Sequence, residues 1–256
     1  MEAQLALEWL GGATERRMRT TRPDFDDLPW DSYDPAALDP DEVLEARQVW
    51  TNGVFTEYAS AAAFSAMNLA FLQCGAPVDL CAAAADFAVD ELVHVSLVSR
   101  LVMTMGGATP YVADLERVAP SPRPDLSARM RAAELAIKVS CVGEALSLPA
   151  LSRSHRGAKH GLSRAVLEKL RHDEGPHASI GHWFLAWAEA WLTKGDREHL
   201  GRVARAAIDV YAPIWRDSDE PGYAEYMDAA VEHRILRRLA KTGIDARSTS
   251  AFTGEL

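Results

Sequence analysis

Two acid–histidine pairs, Glu91-x-x-His94 and Glu174-x-x-His177, stand in segments whose other seam positions are apolar. In the first segment the seam reads Leu80, Ala84, Phe87, Glu91, His94, Val98, Leu101, Met105, with spacings that alternate four and three as one face of an α-helix requires. In the second it reads Leu167, Leu170, Glu174, His177, Gly181. A lone acid recurs in two further seams: Trp50, Val54, Glu57, Ala61, Phe64, Asn68 and Ile137, Cys141, Glu144, Leu148. A buried carboxylate without a partner is costly. Four of them on inward faces demand a fold in which they meet.

Turn chemistry supplies that fold. Asp39-Pro40 reads as an N-cap followed by proline at the first helical position, opening a helix over about 40–73 that ends at Gly75. A second helix is expected over about 77–105, stopped by Gly106-Gly107. A proline-rich connection of nearly twenty residues follows. A third helix is expected from about Asp125 to 154, with a kink at Pro149, and a fourth from after SHRGAKHG to about Lys194-Gly195. Two more helices, over about 196–216 and 222–241, complete the chain. Short turns within each pair and a long link between pairs describe an all-α, four-helix bundle with one long crossover. Residues 1–38 read as an N-terminal arm pinned by Trp30 and Tyr33, 39–242 as one helical domain, and 243–256 as a polar tail.

Register gives an independent check. If Glu57 faces Glu91 across antiparallel helices, their turn is centred at residue 74, in CGAP. If Glu144 faces Glu174, theirs is centred at 159, in HRGAKHG. Both centres fall in turn sequence, so the four acids share one level. Residues three apart on a helix share a face, so each pair offers one oxygen and one nitrogen ligand. The set Glu57, Glu91, His94, Glu144, Glu174 and His177 suits two iron ions, two manganese ions or a mixed pair, because oxygen and imidazole donors favour them over thiolate-loving metals. Asp90 and Asp173 precede the two motifs symmetrically and are expected to accept the other N–H of a ligand histidine. The stretch Asp173-Glu174-Gly175-Pro176-His177 carries a helix breaker, so a kink or π-bulge is expected there, with His172 or Asp173 as alternatives to Glu174. The other histidines read as loop or surface residues.

Composition narrows the function classes. At 256 residues, 48% hydrophobic and 25% charged, the chain has the balance of a globular protein, and its formal charge of −10 disfavours nucleic acid as a partner. Cys74, Cys81 and Cys141 form no metal-binding pair or disulfide framework, which points to a reducing, cytoplasmic setting. The N-terminus lacks a positively charged leader, and no stretch reads as a membrane span. Trp50, Ala61, Phe64, Phe87 and Cys141 are candidates for a substrate pocket beside the acids, with core packing as the alternative. Tyr58, next to Glu57, is a candidate for a redox role.

The Glu, ExxH, Glu, ExxH pattern resembles the ferritin-like diiron-carboxylate superfamily, over roughly residues 40–194. That superfamily includes ribonucleotide reductase small subunits, acyl-carrier-protein desaturases, bacterioferritins, aldehyde-deformylating oxygenases and p-aminobenzoate N-oxygenases. The stretch from Glu57 to the DExxH at Asp90 is similar to the N-oxygenase branch, but that branch has a further histidine where this chain has Leu170. The resemblance implies that the six residues ligate a metal pair, which binds dioxygen when reduced. It implies an oxygenase or oxidase acting on a small organic molecule by hydroxylation, N-oxygenation or desaturation. The alternatives are a ferroxidase that handles iron and, less favoured by the charge, a tRNA-modifying hydroxylase. No dinucleotide fingerprint or cluster-binding cysteines occur, so electrons are expected from an external donor, and a homodimer is compatible with the family.

Overall fold

The computed structural model describes residues 2–21, 27–120 and 123–247. The fold is all-α, with one two-residue strand pair among the described residues. Helix α1 spans Gly12–Thr21 in the arm. Helix α2 spans Pro40–Cys74: Asp39 accepts from the Asp41 N–H at its start, and Gly75, at φ 71°, closes it in the left-handed conformation. Helix α3 follows as Val78–Thr104. Both match the boundaries that the turn residues imply.

The crossover carries β2 (Val112–Ala113), which pairs antiparallel with β1 (Ala3–Gln4) in the arm. The arm is thus stitched to the crossover as well as pinned to the body. Tyr33 is buried with its ring 4.4 Å from that of His160, and the Arg100 guanidinium lies 4.1 Å above Trp30.

Helix α4, Ala128–Gly157, begins three residues later than expected because the Ser127 hydroxyl, not Asp125, caps it by accepting from the Met130 N–H. Its distortion also lies elsewhere. Residues Ala136–Glu144 form a π-helical segment, upstream of Pro149, which sits inside ordinary α-helix. Helix α5, Gly161–Ala188, remains α-helical through Gly175 and Pro176 with no π turn there. It ends six residues before Lys194 because Thr193 and Asp196 form a reciprocal capping box that opens α6, Lys194–Tyr211. Pro213 starts a separate short helix α7, Pro213–Arg216. The last helix, α8, runs from Tyr223–Ala230 through a second π segment, Val231–Leu236, to Arg237–Ala240.

The stretch expected as a polar tail is anchored where it is described. Ile244 and Ala246 are buried, and a side chain at Gly201 would meet the backbone of Asp245. Residues 248–256 lie outside the described residues.

The four long helices pack in a closed ring, α2 on α3, α3 on α5, α5 on α4 and α4 on α2. Their apolar interior falls into two groups. One holds Phe64, Phe71, Ala84, Ile137 and Phe184; the other holds Val54, Val98, Leu101, Val166 and Leu170. On α2, α3 and α5 the acids and histidines of the seams lie between these groups, so the polar layer is sealed on two sides. Among the described residues one helix, Ala128–Gly157, is long and apolar enough to cross a membrane by length and composition alone, and it is mostly buried. It owes that composition to burial among the other helices.

Candidate metal centre

Helix α2 contributes Glu57, α3 contributes Glu91 and His94, the end of the π segment of α4 contributes Glu144, and α5 contributes Glu174 and His177. The structure brings all six together. Glu57, Glu91, His94 and Glu174 offer ligand atoms that all lie within 4.8 Å of one another, and so do Glu91, Glu144, Glu174 and His177. Glu91 and Glu174 belong to both groups.

Each histidine turns Nδ1 inward. His94 Nδ1 lies 3.4, 3.5 and 3.6 Å from oxygens of Glu91, Glu57 and Glu174. His177 Nδ1 lies 2.8 and 3.3 Å from Glu91 and Glu174. Each Nε2 faces an aspartate: His94 is 3.3 Å from Asp173 Oδ2, and His177 is 3.4 Å from Asp90 Oδ2. The aspartates therefore pair crosswise, each with the histidine of the other motif. Nε2–H donation to a carboxylate leaves Nδ1 with its lone pair toward the cluster.

Burial makes this arrangement electrostatically unfinished. Glu91 and His177 are fully buried, and Glu144 and Glu174 nearly so. Both oxygens of Glu91, Oε2 of Glu174 and Nδ1 of both histidines lack a well-formed hydrogen bond although they are shut off from solvent. Burial raises the Glu91 pKa to about 7, with the neighbouring Glu144 adding to it against the two histidines. Burial and the charge of Glu174 raise Glu144 well above the carboxylate range, and burial and the charge of Glu91 raise Glu174. Burial opposes a charged His177, but Asp90, Glu174 and Glu91 outweigh it and push its pKa up to about 12. Burial opposes His94 likewise, and Asp173, Glu57 and Glu91 hold it well above the usual range. Acids that resist losing protons and imidazoles that resist giving them up define a space that calls for positive charge. Two divalent ions among four carboxylates and two neutral imidazoles would meet that demand.

His172 does not join the cluster. Its side chain is exposed, and Nδ1 lies 3.2 Å from Asp173 Oδ1. Asp173 is occupied by His94 and by Lys169 at 2.6 Å, so neither residue replaces Glu174. Burial disfavours a charged Asp173, but His94, Lys169 and His172 together lower its pKa.

The residues expected to line a pocket are packing residues. The rings of Phe64 and Phe87 lie 5.2 and 4.5 Å from that of His177. Cys141 is fully buried against the α5 backbone at Gly181, with its pKa pushed by burial to about 12, and Ala61 is buried. Trp50 is half-buried against the second apolar group. A cleft of about 240 Å³ lies instead beneath the arm, where Leu7, Trp9 and Met18 face Tyr58, Leu92 and Val95. Those last three follow Glu57, Glu91 and His94 in sequence.

Two histidines read as surface residues have inner roles. His199 Nε2 lies 2.5 Å from the buried Glu134, and His182 has a buried Nε2, with burial lowering its pKa to about 4. Neither placement leaves a local sequence signal. Ser140 and Gly181, which fix the contact between α4 and α5, were also unmarked, although Gly181 stands in the seam where a larger residue is usual.

Comparison of the chain with protein-family models, with curated proteins and with solved structures gave no match.

Proposed function

We propose that the chain is a ferritin-like, dinuclear-iron, O2-activating oxygenase or oxidase that acts on a small organic molecule. The observation that carries this reading is the pair of ligand groups that overlap at Glu91 and Glu174. In it, Glu57 and His94 would hold one ion and Glu144 and His177 the other, with Glu91 and Glu174 available to both. Oxygen and imidazole donors without thiolate suit iron, with manganese as the substitute. The bound metal pair would supply the electrons that reduce dioxygen and the oxidising power for hydroxylation, N-oxygenation or desaturation.

The chain's own residues prepare that chemistry. Asp90 and Asp173 fix the histidine tautomers and aim Nδ1 inward. Phe64 and Phe87 keep water from His177. Glu57 is the most exposed ligand, at 13% of its side-chain surface, and its sequence neighbour Tyr58 lines the cleft beneath the arm, so a compact apolar substrate would approach through that cleft. Reducing equivalents would come from an external donor.

Anaerobic loading with Fe(II), metal counting and exposure to O2 test the proposal. About two irons per chain and an O2-dependent absorbance change are expected. Fewer than about two irons with no spectral change would remove it. Size exclusion separates the iron-handling alternative, since a large multi-subunit shell would favour iron storage over small-molecule oxidation.

A further inference from the structure

One hydroxyl joins the two helices that carry the more buried half of the cluster. Ser140, in the π segment of α4, is completely buried. Its Oγ donates to the His177 carbonyl at 2.6 Å and accepts from the Gly181 N–H at 2.8 Å. In a regular α-helix the N–H of residue 181 donates directly to the carbonyl of residue 177. The Ser140 hydroxyl bridges these two groups from outside, and a side chain that enters a helical ladder in this way bends it locally.

The surrounding space is built for this approach. A Cβ at Gly181 would lie 2.5 Å from the Ala136 carbonyl oxygen, 2.7 Å from Cys141 Sγ and 3.0 Å from Ser140 Cβ. Only glycine lets the π segment come so close. Ala136 opens that segment and Glu144 closes it, so the stretch pressed against α5 is the one that delivers Glu144. The backbone on which it presses carries His177.

We infer that Ser140 is a positioning residue: its hydroxyl, held between His177 C=O and Gly181 N–H, sets the second metal position by fixing His177 and the Glu144-bearing π segment together. This rests on the dinuclear reading above. Without the hydroxyl, the His177 carbonyl and the Gly181 N–H lose their tie to the π segment of α4. The His177 imidazole then moves away from the place where Glu144 meets it. Among the described residues the Glu57–His94 half has no such link, and it keeps its geometry.

Stepwise anaerobic titration with Co(II), followed by its visible absorption and by direct metal analysis, tests this. The wild-type chain should take up two equivalents. Ser140→Ala should bind the first as the wild type does and the second about 10- to 100-fold more weakly, with an altered visible spectrum for the second ion. Ser140→Cys fills the same space with a weak donor and acceptor and should fall between them. It also serves if the alanine variant fails to reach the wild-type helix content by circular dichroism. Ser147→Ala removes a hydroxyl that donates to the Glu144 carbonyl within α4, and should bind both ions normally. Wild-type affinity and spectrum for the second Co(II) in folded Ser140→Ala or Ser140→Cys would overturn the inference alone. A wild-type chain that binds fewer than two equivalents would overturn the dinuclear reading itself, and the inference with it.

Discussion

The two halves of the cluster use the same donors in different surroundings. In the Glu57–His94 half, Glu57 keeps some solvent contact, and Asp173 behind His94 reaches the surface through Lys169 and the exposed His172. In the Glu144–His177 half, both ligands and Asp90 are buried, two phenylalanine rings flank the imidazole, and Ser140 ties its backbone. One half keeps a limited contact with solvent through Glu57, and the other is shut off from it. A metal pair in such a site would be anchored at the closed half and would exchange ligands at the one that Glu57 leaves in contact with solvent.

The largest effect should come from a residue that both halves share. Glu91→Ala removes a ligand from both groups and leaves two imidazoles facing a void. Iron content should fall from about two per chain to well under about one, read by metal analysis after gel filtration. Retention of two ions would break the picture of a shared acid. Next come the unshared acids. Glu57→Gln and Glu144→Gln should each leave about one ion, but only Glu144→Gln should raise the melting temperature of the metal-free protein. Glu144 is a buried carboxylate repelled by Glu174, so a neutral amide relieves the folded state, whereas partly solvated Glu57 gains little. Equal melting shifts would erase the distinction between the halves.

The sequence made the donor set legible because burial of an acid is so unfavourable that each seam acid demands partners. The ends of α2 were legible because Asp39-Pro40 and Gly75 act locally. What could not be read depends on contacts between distant segments. Nothing in AIKVSCVGE announces a π segment; the close approach of Ala136, Ser140 and Cys141 to Gly181, a residue distant in sequence, goes with it. Conversely, Gly175-Pro176 reads as the distorted site, yet α5 runs through it as regular α-helix. The crossed pairing of Asp90 with His177 and Asp173 with His94 depends on the relative rotation of α3 and α5, which one helix's periodicity does not contain. Thr193-x-x-Asp196 is a locally readable capping box, and it opens a new helix at the Lys194-Gly195 boundary expected for the end of α5, which stops at Ala188.

A smaller effect should separate the two aspartates. Asp90→Asn and Asp173→Asn each weaken the hold on one histidine, and about a tenfold loss of affinity is expected at the half that histidine serves. The loss should be greater for Asp90→Asn, since its carboxylate is buried beside His177. Asp173→Asn also frees Lys169, so its loss should depend on salt, because that contact lies nearer the surface. Competition between the protein and a chelator for Co(II), in low and high salt, reads both. Identical salt dependence for the two variants would contradict an open half and a closed one.

The pH responses of the empty and loaded protein should run in opposite directions. Glu91 is raised to about 7 and His177 to about 12 in the folded, metal-free state. Their unfolded counterparts titrate near 4.3 and 6.5, roughly the values of free side chains. Between these limits the folded chain holds more protons than the unfolded one, so stability falls as pH rises. The His177 contribution is full below the unfolded value and declines toward about 12, and the Glu91 contribution is already lost above about 7. His182, lowered to about 4, acts the other way, but only below the ordinary histidine value. From pH 7 to 9 the metal-free protein should therefore melt at progressively lower temperature. Metal binding must expel the same protons, so affinity for Co(II) should climb by about tenfold per pH unit over that range. Scanning calorimetry with chelator and with Co(II) gives two curves that diverge as pH rises. Parallel curves would mean that the ions do not replace the protons of this cluster, and that they bind elsewhere on the chain.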